Sequence, residues 1–225
     1  MKKIFAILLI LLGIVLIISP KLKNLVVEQK LKDTVDVIES ITSEEIKVNE
    51  ESEEAEFDFS IVEDVSVTGT LMDSGKINTN LLIGQLVIPS VDMNIPIFKG
   101  INNANLLAGS ATMRQDQKMG AGNYPLAGHY MKEKNVLFGS LMDVKEGDLI
   151  RMTDKETIYE YVTYEVKVVP DTALYIIDDQ EAEKIGKPII SIMTCYYSSN
   201  TEKRYFVMGE LVDSYPYTED AFHAE

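Results

Sequence analysis

The chain is poor in the residues that most catalysts and metal sites draw on. It holds one cysteine, two histidines and three arginines in 225 residues. A single cysteine rules out an internal disulfide framework and any zinc site built from several cysteines. Two histidines leave little for other metal chemistry. Positive charge is short as well. Lys and Arg number 21 against 36 Asp and Glu, a net charge of −15, whereas a grip on nucleic acid needs clustered cations. No internal repeat is present. The rest of the composition, 46% hydrophobic and 25% charged, is that of an ordinary folded domain and excludes wholesale disorder.

The charge is unevenly placed. Residues 1–27 carry four lysines and no acid; residues 28–66 carry 14 acids and 3 lysines; residues 67–225 carry 22 acids and 14 bases. The three stretches therefore stand at +4, −11 and −8, a basic start, an acidic connector and a mildly acidic domain. The basic start holds an uninterrupted apolar run from Ile4 to Ile18, closed by Ser19-Pro20-Lys21. Fifteen residues is short of the ~20 that span a bilayer and also suits a signal peptide. A cut after Ser19 would place Ile17 where a small residue is needed and Pro20 just beyond it, so an uncleaved anchor is preferred, its lysines reaching to the headgroups. The cleaved signal peptide is the alternative. Lys21 and Lys23 nearly balance Lys2 and Lys3, so the positive-inside rule hardly votes on orientation. Either way the bulk of the chain is expected outside the cell.

Apolar residues at near-helical spacing (Leu25, Leu31, Val35, Ile38, Ile41) predict a stalk helix within 24–48. Glu50 to Glu56 is too acidic to bury, whereas Phe57–Val62 is an apolar patch within the acidic stretch. It reads as a strand or helical turn docked on the domain, with a segment covering a binding groove as the sharper alternative. From about residue 80 the pattern is mostly β. Gln85–Ile88, Asn94–Phe98, Leu149–Thr153, Thr157–Val169, Ile189–Thr194 and Arg204–Val212 are short, β-branched or aromatic, and separated by Gly, Pro, Asn and Asp. Short helical pieces fit Asn103–Leu107, Leu137–Asp143 and Asp178–Lys184. Many short strands with few helices imply a closed barrel or a sandwich.

The lone Cys195 ends the buried-looking strand Pro188–Cys195, and polar Tyr-Tyr-Ser-Ser-Asn follows. A thiol there is held by the strand yet open to a substrate. Nine residues on, Arg204 opens the next strand; if the two form a hairpin, the guanidinium returns beside the thiol, where it favours thiolate and can hold developing negative charge. His129 closes the apolar run Asn123-Tyr124-Pro125-Leu126-Ala127-Gly128, whose small residues let a substrate backbone approach. These parts fit a cysteine nucleophile with a histidine that protonates a leaving amine and then deprotonates an incoming one. On spacing alone, an inert buried cysteine and a hydrogen-bonded structural histidine account for the residues as well. His223, near the chain end, reads as surface.

Leu126-Ala127-Gly128-His129, Thr194-Cys195 and Arg204 in Lys-Arg-Tyr-Phe-Val-Met-Gly-Glu-Leu together resemble the signature of the sortases, surface-protein transpeptidases of Gram-positive bacteria. Gly84–Ser90, Asn105–Ala111 and Gly120–Tyr124 agree with it, so the resemblance covers roughly 80–214, closest to class A housekeeping members. It implies a closed eight-stranded β-barrel with short helices, behind an N-terminal membrane helix and acidic extension. The divisions expected are a membrane anchor at 1–23, a stalk and extension at 24–79, a catalytic barrel at 80–214 and a tail at 215–225. It also implies that Cys195 attacks the Thr–Gly bond of a Leu-Pro-x-Thr-Gly (LPxTG) type sorting signal, His129 acts as acid and then base, and Arg204 positions substrate and stabilises the oxyanion, assisted by Thr194. The partners implied are LPxTG-type surface proteins, the amine of a peptidoglycan precursor, and the membrane through a single pass, with no nucleic acid. Ala127 and Met193 are expected to line the signal groove, and Leu174 and Ile176 to contribute from the loop after Pro170.

Two departures from the family matter. Some class A members bind calcium through carboxylates ahead of the histidine strand, but Met113–Lys118 holds one acid and two cations, too little for oxygen coordination. Neither a metal nor any other cofactor is expected. The pilin-polymerising members' lid motif and second, C-terminal apolar segment have no counterpart in the sequence, which favours anchoring of single proteins. The competing accounts are a cell-wall cysteine hydrolase, whose cysteine would start a helix rather than end a strand, and a non-catalytic membrane-anchored adhesin domain.

Overall fold

The computed structural model describes residues 2–57, 65, 70 and 77–224, the side chains of Lys2 and Leu174 excepted. Eight strands close into a barrel: β1 (Leu82–Ile88), β2 (Met93–Phe98), β3 (Ser110–Thr112), β4 (Asn123–Ala127), β5 (Leu149–Thr153), β6 (Thr157–Pro170), β7 (Ile189–Cys195) and β8 (Lys203–Pro216), in the spatial order β1-β2-β3-β4-β7-β8-β6-β5. The six segments expected as strands are six of these. β3 is too short to carry a pattern, and β4 reads as an apolar run because it is buried along its whole length. A strand covered on both faces loses the period-2 alternation by which strands are recognised. β6 keeps that alternation in part, with Ile158, Tyr161 and Thr163 buried between wetter neighbours.

Among the described residues, two helices ahead of the barrel pack on it. α1 runs unbroken from Lys2 to Ser40, past Pro20. Its apolar first half, Ile4 to Ile18, is exposed, and by length and composition it can cross a membrane. Its second half buries Val27, Leu31 and Ile38. Val27 and Leu31 join the same core cluster as Leu86, Ile95 and Val207 of the barrel, and Ile38 packs with Leu82 and Phe98. The segment expected as a stalk is therefore helical, yet it lies along β1 and β2 instead of standing clear of them. The helix ends at residue 40, and Thr42 opens α2 (Ser43–Glu50) with a capping box to Glu45. α2 contributes Ile46 to the cluster around Ile38.

The chain beyond α2 docks at Gly100, where Ile101 N–H donates to the Glu56 carbonyl at 2.6 Å. Gly100 has φ +69°, and a Cβ there would lie 2.5 Å from that same carbonyl oxygen, so only glycine lets the extension approach this closely. Phe57 is half-buried, and residues 58–62 of the apolar patch lie outside the described residues. Among the described residues three further short α-helices follow: α3 (Asn103–Leu106), α4 (Gln180–Ile185) and α5 (Glu219–Phe222). The helical piece expected at Leu137–Asp143 is confined to one turn at Leu141–Asp143. In the tail, α5 buries Phe222 against Val87 and Ile158, and the neighbouring Arg151 pairs with Glu160 at 2.7 Å.

Candidate active site

Sheet register brings the three chemically distinctive side chains to one end of the barrel. β7 pairs antiparallel with β8 so that Cys195 lies directly opposite Arg204 and Thr194 opposite Tyr205. On its other side β7 runs parallel to β4, from Asn123 opposite Ile189 to Ala127 opposite Met193. Two residues past that pair come His129, just beyond the end of β4, and Cys195, the last residue of β7, and both line the same groove. The step into His129 is tied to the cysteine strand twice. Gly128 N–H donates to the Met193 carbonyl at 3.1 Å, and the Thr194 hydroxyl donates to the Gly128 carbonyl at 2.8 Å.

His129 is largely buried and Cys195 half-buried. Phe138 N–H donates to the His129 carbonyl at 3.2 Å. A Cβ on Gly128 would sit 2.5 Å from the Phe138 ring, so glycine is what lets that ring back the histidine turn. The rigid scaffold is chemically suited to acyl transfer, with a thiol nucleophile, an imidazole to carry a proton and a guanidinium to face negative charge.

A groove of about 990 Å³ of open space leads to this end of the barrel. Its far part is apolar, with Ile101, Leu106, Met113, Ala127, Met193 and Phe206, and its near part presents His129, Thr194, Cys195 and Arg204. Five of the residues expected at the site, Ala127, Met193, Thr194, Cys195 and Arg204, thus line one groove with His129. Ile176 is fully buried beneath it, packed with Ala182, Ile189 and Phe206, while the adjacent Ile177 and Ala173 face the groove. The side chain of Leu174 lies outside the described residues.

The wall formed by the loop between β6 and β7 is held by side chains rather than by strand pairing. Asn123, buried at the start of β4, donates from Nδ2 to the Ile176 carbonyl at 2.7 Å and the Asp178 carbonyl at 3.0 Å. Its own amide oxygen accepts from Ser191 Oγ at 2.9 Å. Arg114 makes a fork to Asp179, Nη1 to Oδ1 at 2.9 Å and Nη2 to Oδ2 at 3.0 Å, and also reaches Asp116. The Arg114 hydrogen bonds hold the Asp179 carboxyl below the usual carboxylate range, helped by the Asn123 N–H. They lower the exposed Asp116 as well.

Sequence reasoning missed Arg114, Asn123 and Asp179, because their partners lie roughly 55–65 residues apart and no local pattern links them. It also missed Asp171, whose carboxylate stands 3.8 Å from the Arg204 guanidinium. An acid directly after the strand-ending Pro170 was the only available hint.

Comparison with known proteins agrees with this geometry. The family profile described as the sortase domain matches residues 86–212. Sortase A of Listeria monocytogenes is 41% identical over 211 residues, covering 94% of this chain and 91% of the relative. Sortase A of Bacillus anthracis is 35% identical over 210 residues, covering 93% of each. The crystal structure of the Listeria monocytogenes sortase A superposes with a TM-score of 0.58, over 64% of this chain and 99% of that one. A closed barrel, a strand-end cysteine with arginine across from it and a histidine in the same groove, and relatives matched over nearly their whole length lead to one assignment: the chain belongs to the sortase family of cysteine transpeptidases.

Proposed function

We propose that this sortase cleaves an LPxTG-type sorting signal between Thr and Gly and joins the released acyl group to an amine of a peptidoglycan precursor. The observation that carries the residue roles is the direct pairing of Cys195 with Arg204 beside His129 at the polar end of an otherwise apolar groove. The apolar part suits the Leu and Pro of such a signal, with Ala127 and Met193 beneath it. Cys195 Sγ attacks the Thr carbonyl carbon, and Arg204 faces the oxyanion that forms. As the C–N bond breaks, His129 gives its proton to the departing Gly amine, leaving a thioester. The incoming amine then attacks that carbonyl and loses a proton to His129. The C–S bond breaks, and the thiolate is regenerated with the new amide. The Thr194 hydroxyl, engaged with the Gly128 carbonyl, serves first to hold the histidine turn.

The apolar half of α1 holds the enzyme at the membrane as an uncleaved single-pass anchor, with the barrel outside the cell. Calcium has no part in this scheme. Ahead of the histidine strand, Asp116 is engaged by the Arg114 guanidinium, which also forks to Asp179. The pocket that Asp116 shares with Glu50 and Asp154 also holds Lys99 and Lys118, so cations already stand where an ion would need an all-oxygen shell. Residues fit for the metal are therefore lacking there.

The test uses the full chain in detergent or vesicles, a fluorescent LPxTG peptide and an added amine. Cleavage with ligation, lost in Cys195→Ala, is expected. Cysteine-dependent cleavage that never yields the ligated product would overturn the acceptor half of the scheme, and no cysteine-dependent reaction would overturn the signal.

A further inference from the structure

Arg204 stands between two strands and has a chemically distinct neighbour beside each. Across the pairing with β7 is Cys195. On the β6 side is Asp171, whose Oδ2 lies 3.8 Å from Nη2 of the guanidinium. β6 and β8 pair Val169 with Arg204 and Pro170 with Lys203, so Asp171 is the first residue past the end of that ladder. Its backbone is fixed there, because its N–H donates to the Glu202 carbonyl at 3.0 Å. The contact between the side chains is of another kind. At 3.8 Å it is Coulombic without a hydrogen bond, and Nη1 donates instead to the Lys203 carbonyl at 3.1 Å. The two side chains are 23% and 35% exposed. A carboxylate so placed opposes the field of the cation without the two-pronged grip that fixes an arginine rigidly.

The surroundings leave this task to Asp171. Among the described residues lining the groove, it is the one carboxylate, beside the titratable His129 and Cys195 and the cation of Arg204. The side chains that flank the arginine along the chain do not replace it. Glu202 and Lys203 are both exposed and of opposite sign, and burial pushes the Tyr205 hydroxyl up, which keeps it neutral. On the other side of Cys195 stand Lys21, Lys23 and Lys132 against Glu133, with Tyr130 and Tyr197, a surplus of cations. The negative charge that meets Arg204 within the groove is therefore that of Asp171.

We infer that Asp171 is the counter-charge of Arg204, a positioning residue that draws the guanidinium toward the β6 side and cancels part of its field at Cys195 and at the developing oxyanion. The inference rests on the roles proposed above for Cys195 and Arg204, and adds to them the group that sets how strongly the arginine acts. An uncompensated guanidinium in an open groove is a ready partner for any carboxylate. That includes the peptide acid released when water takes the thioester in place of an amine. Asp171 thus lowers the rate of acylation and keeps the groove clear of anions.

The experiment compares the full chain in detergent as wild type, Asp171→Asn, Asp171→Glu, Arg204→Gln and the Asp171→Asn/Arg204→Gln double variant. Each is measured in three ways: the pH profile of Cys195 alkylation by iodoacetamide, kcat/KM for an LPxTG peptide with saturating amine, and inhibition by the Leu-Pro-x-Thr free acid. In Asp171→Asn the alkylation midpoint should move down by about 0.5 pH unit, kcat/KM should rise about three-fold, and the free acid should inhibit about three-fold more tightly, one Coulombic step seen in three readouts. Asp171→Glu, which keeps the charge, should hold the midpoint at the wild-type value. With Arg204→Gln in the background, the same Asp171→Asn change should gain at most half as much in kcat/KM, because only its direct effect on the thiol is left. Equal gains in both backgrounds would mean that Asp171 does not act through Arg204, and would overturn the inference. An unmoved midpoint, or a kcat/KM that fails to rise in Asp171→Asn, would overturn it too, with the role of Arg204 left standing. If Arg204→Gln itself changes neither the midpoint nor kcat/KM, the role proposed for Arg204 falls and the inference with it.

Discussion

The groove beside Cys195 has two sides built by different physics. On one, Cys195, Arg204 and Ala127 are held by continuous backbone pairing between β4, β7 and β8. On the other, Ala173 and Ile177 sit on a loop whose position depends on a few side-chain hydrogen bonds from Asn123 and Arg114. Backbone pairing is insensitive to which side chain sits at each point, so the sheet side can vary its chemistry at no cost in geometry. The loop side has no such independence, because removing one amide or one guanidinium removes part of its support. Chemistry is expected to depend on the first side and affinity for the signal on the second.

The largest effect should come from the sheet side. Arg204→Ala is expected to lower kcat by about 10²–10³ with the melting temperature nearly unmoved, since the side chain is partly exposed and the strand pairing stays; steady-state kinetics with thermal unfolding on one preparation checks both. Asn123→Ala should do the reverse. It strands two loop carbonyls and the buried Ser191 hydroxyl, at about 2–3 kcal/mol. In the unfolding curve that is a fall of roughly 5–10 °C, accompanied by a KM for the peptide that rises more than kcat falls.

Arg114→Gln tests the same wall more gently. Loss of the fork to a half-exposed Asp179 should cost about 1 kcal/mol, and KM should again move before kcat. Added calcium or a chelator should leave the wild-type rate unchanged, as titration during the assay would reveal.

The smallest effect is in pH. Asp179 and Asp116 are depressed in the folded state, so what they contribute is complete above the ordinary carboxylate range and is lost only as pH falls through their lowered values. The stability difference between wild type and Arg114→Gln should therefore be flat from about pH 5 to 8 and shrink below about pH 4. A difference that varied near neutrality would place the titrating group elsewhere.

The same division explains what the sequence made legible. Cys195, His129 and Arg204 each close or open a run of apolar residues, and strand ends are visible as a change of pattern. Their neighbourhood follows from register, and an offset of nine residues from the end of one strand to the start of the next is enough to place the thiol and guanidinium together. Arg114, Asn123 and Asp179 sit in loops or at a strand start, and their pairing depends on how the closed barrel folds back on itself. The helix within 24–48 was legible but not its place in the core: of the apolar positions that predicted it Leu31 and Ile38 are buried while Leu25 is exposed, and periodicity states that a face is apolar without stating what it packs against. A fragment starting after residue 66 would lack that face and leave its partners on β1 and β2 uncovered.

The strand that ends in Cys195 is paired on both edges, by β4 and by β8. β4 pairs with it as far as Met193 and β8 as far as Cys195. Along β7 up to Met193 an extended peptide therefore has no free backbone edge to extend, and the sequence-blind main-chain ladder by which many proteases and adaptor domains capture their ligands is closed off over that stretch. Recognition along that stretch of the groove rests on side chains fitting side chains. A signal read in that way can be short, and it can lie within a sequence of any composition so long as its few residues fill the pocket. On the proposed function, a closed barrel of this kind suits an enzyme acting on many proteins that share nothing but a tag.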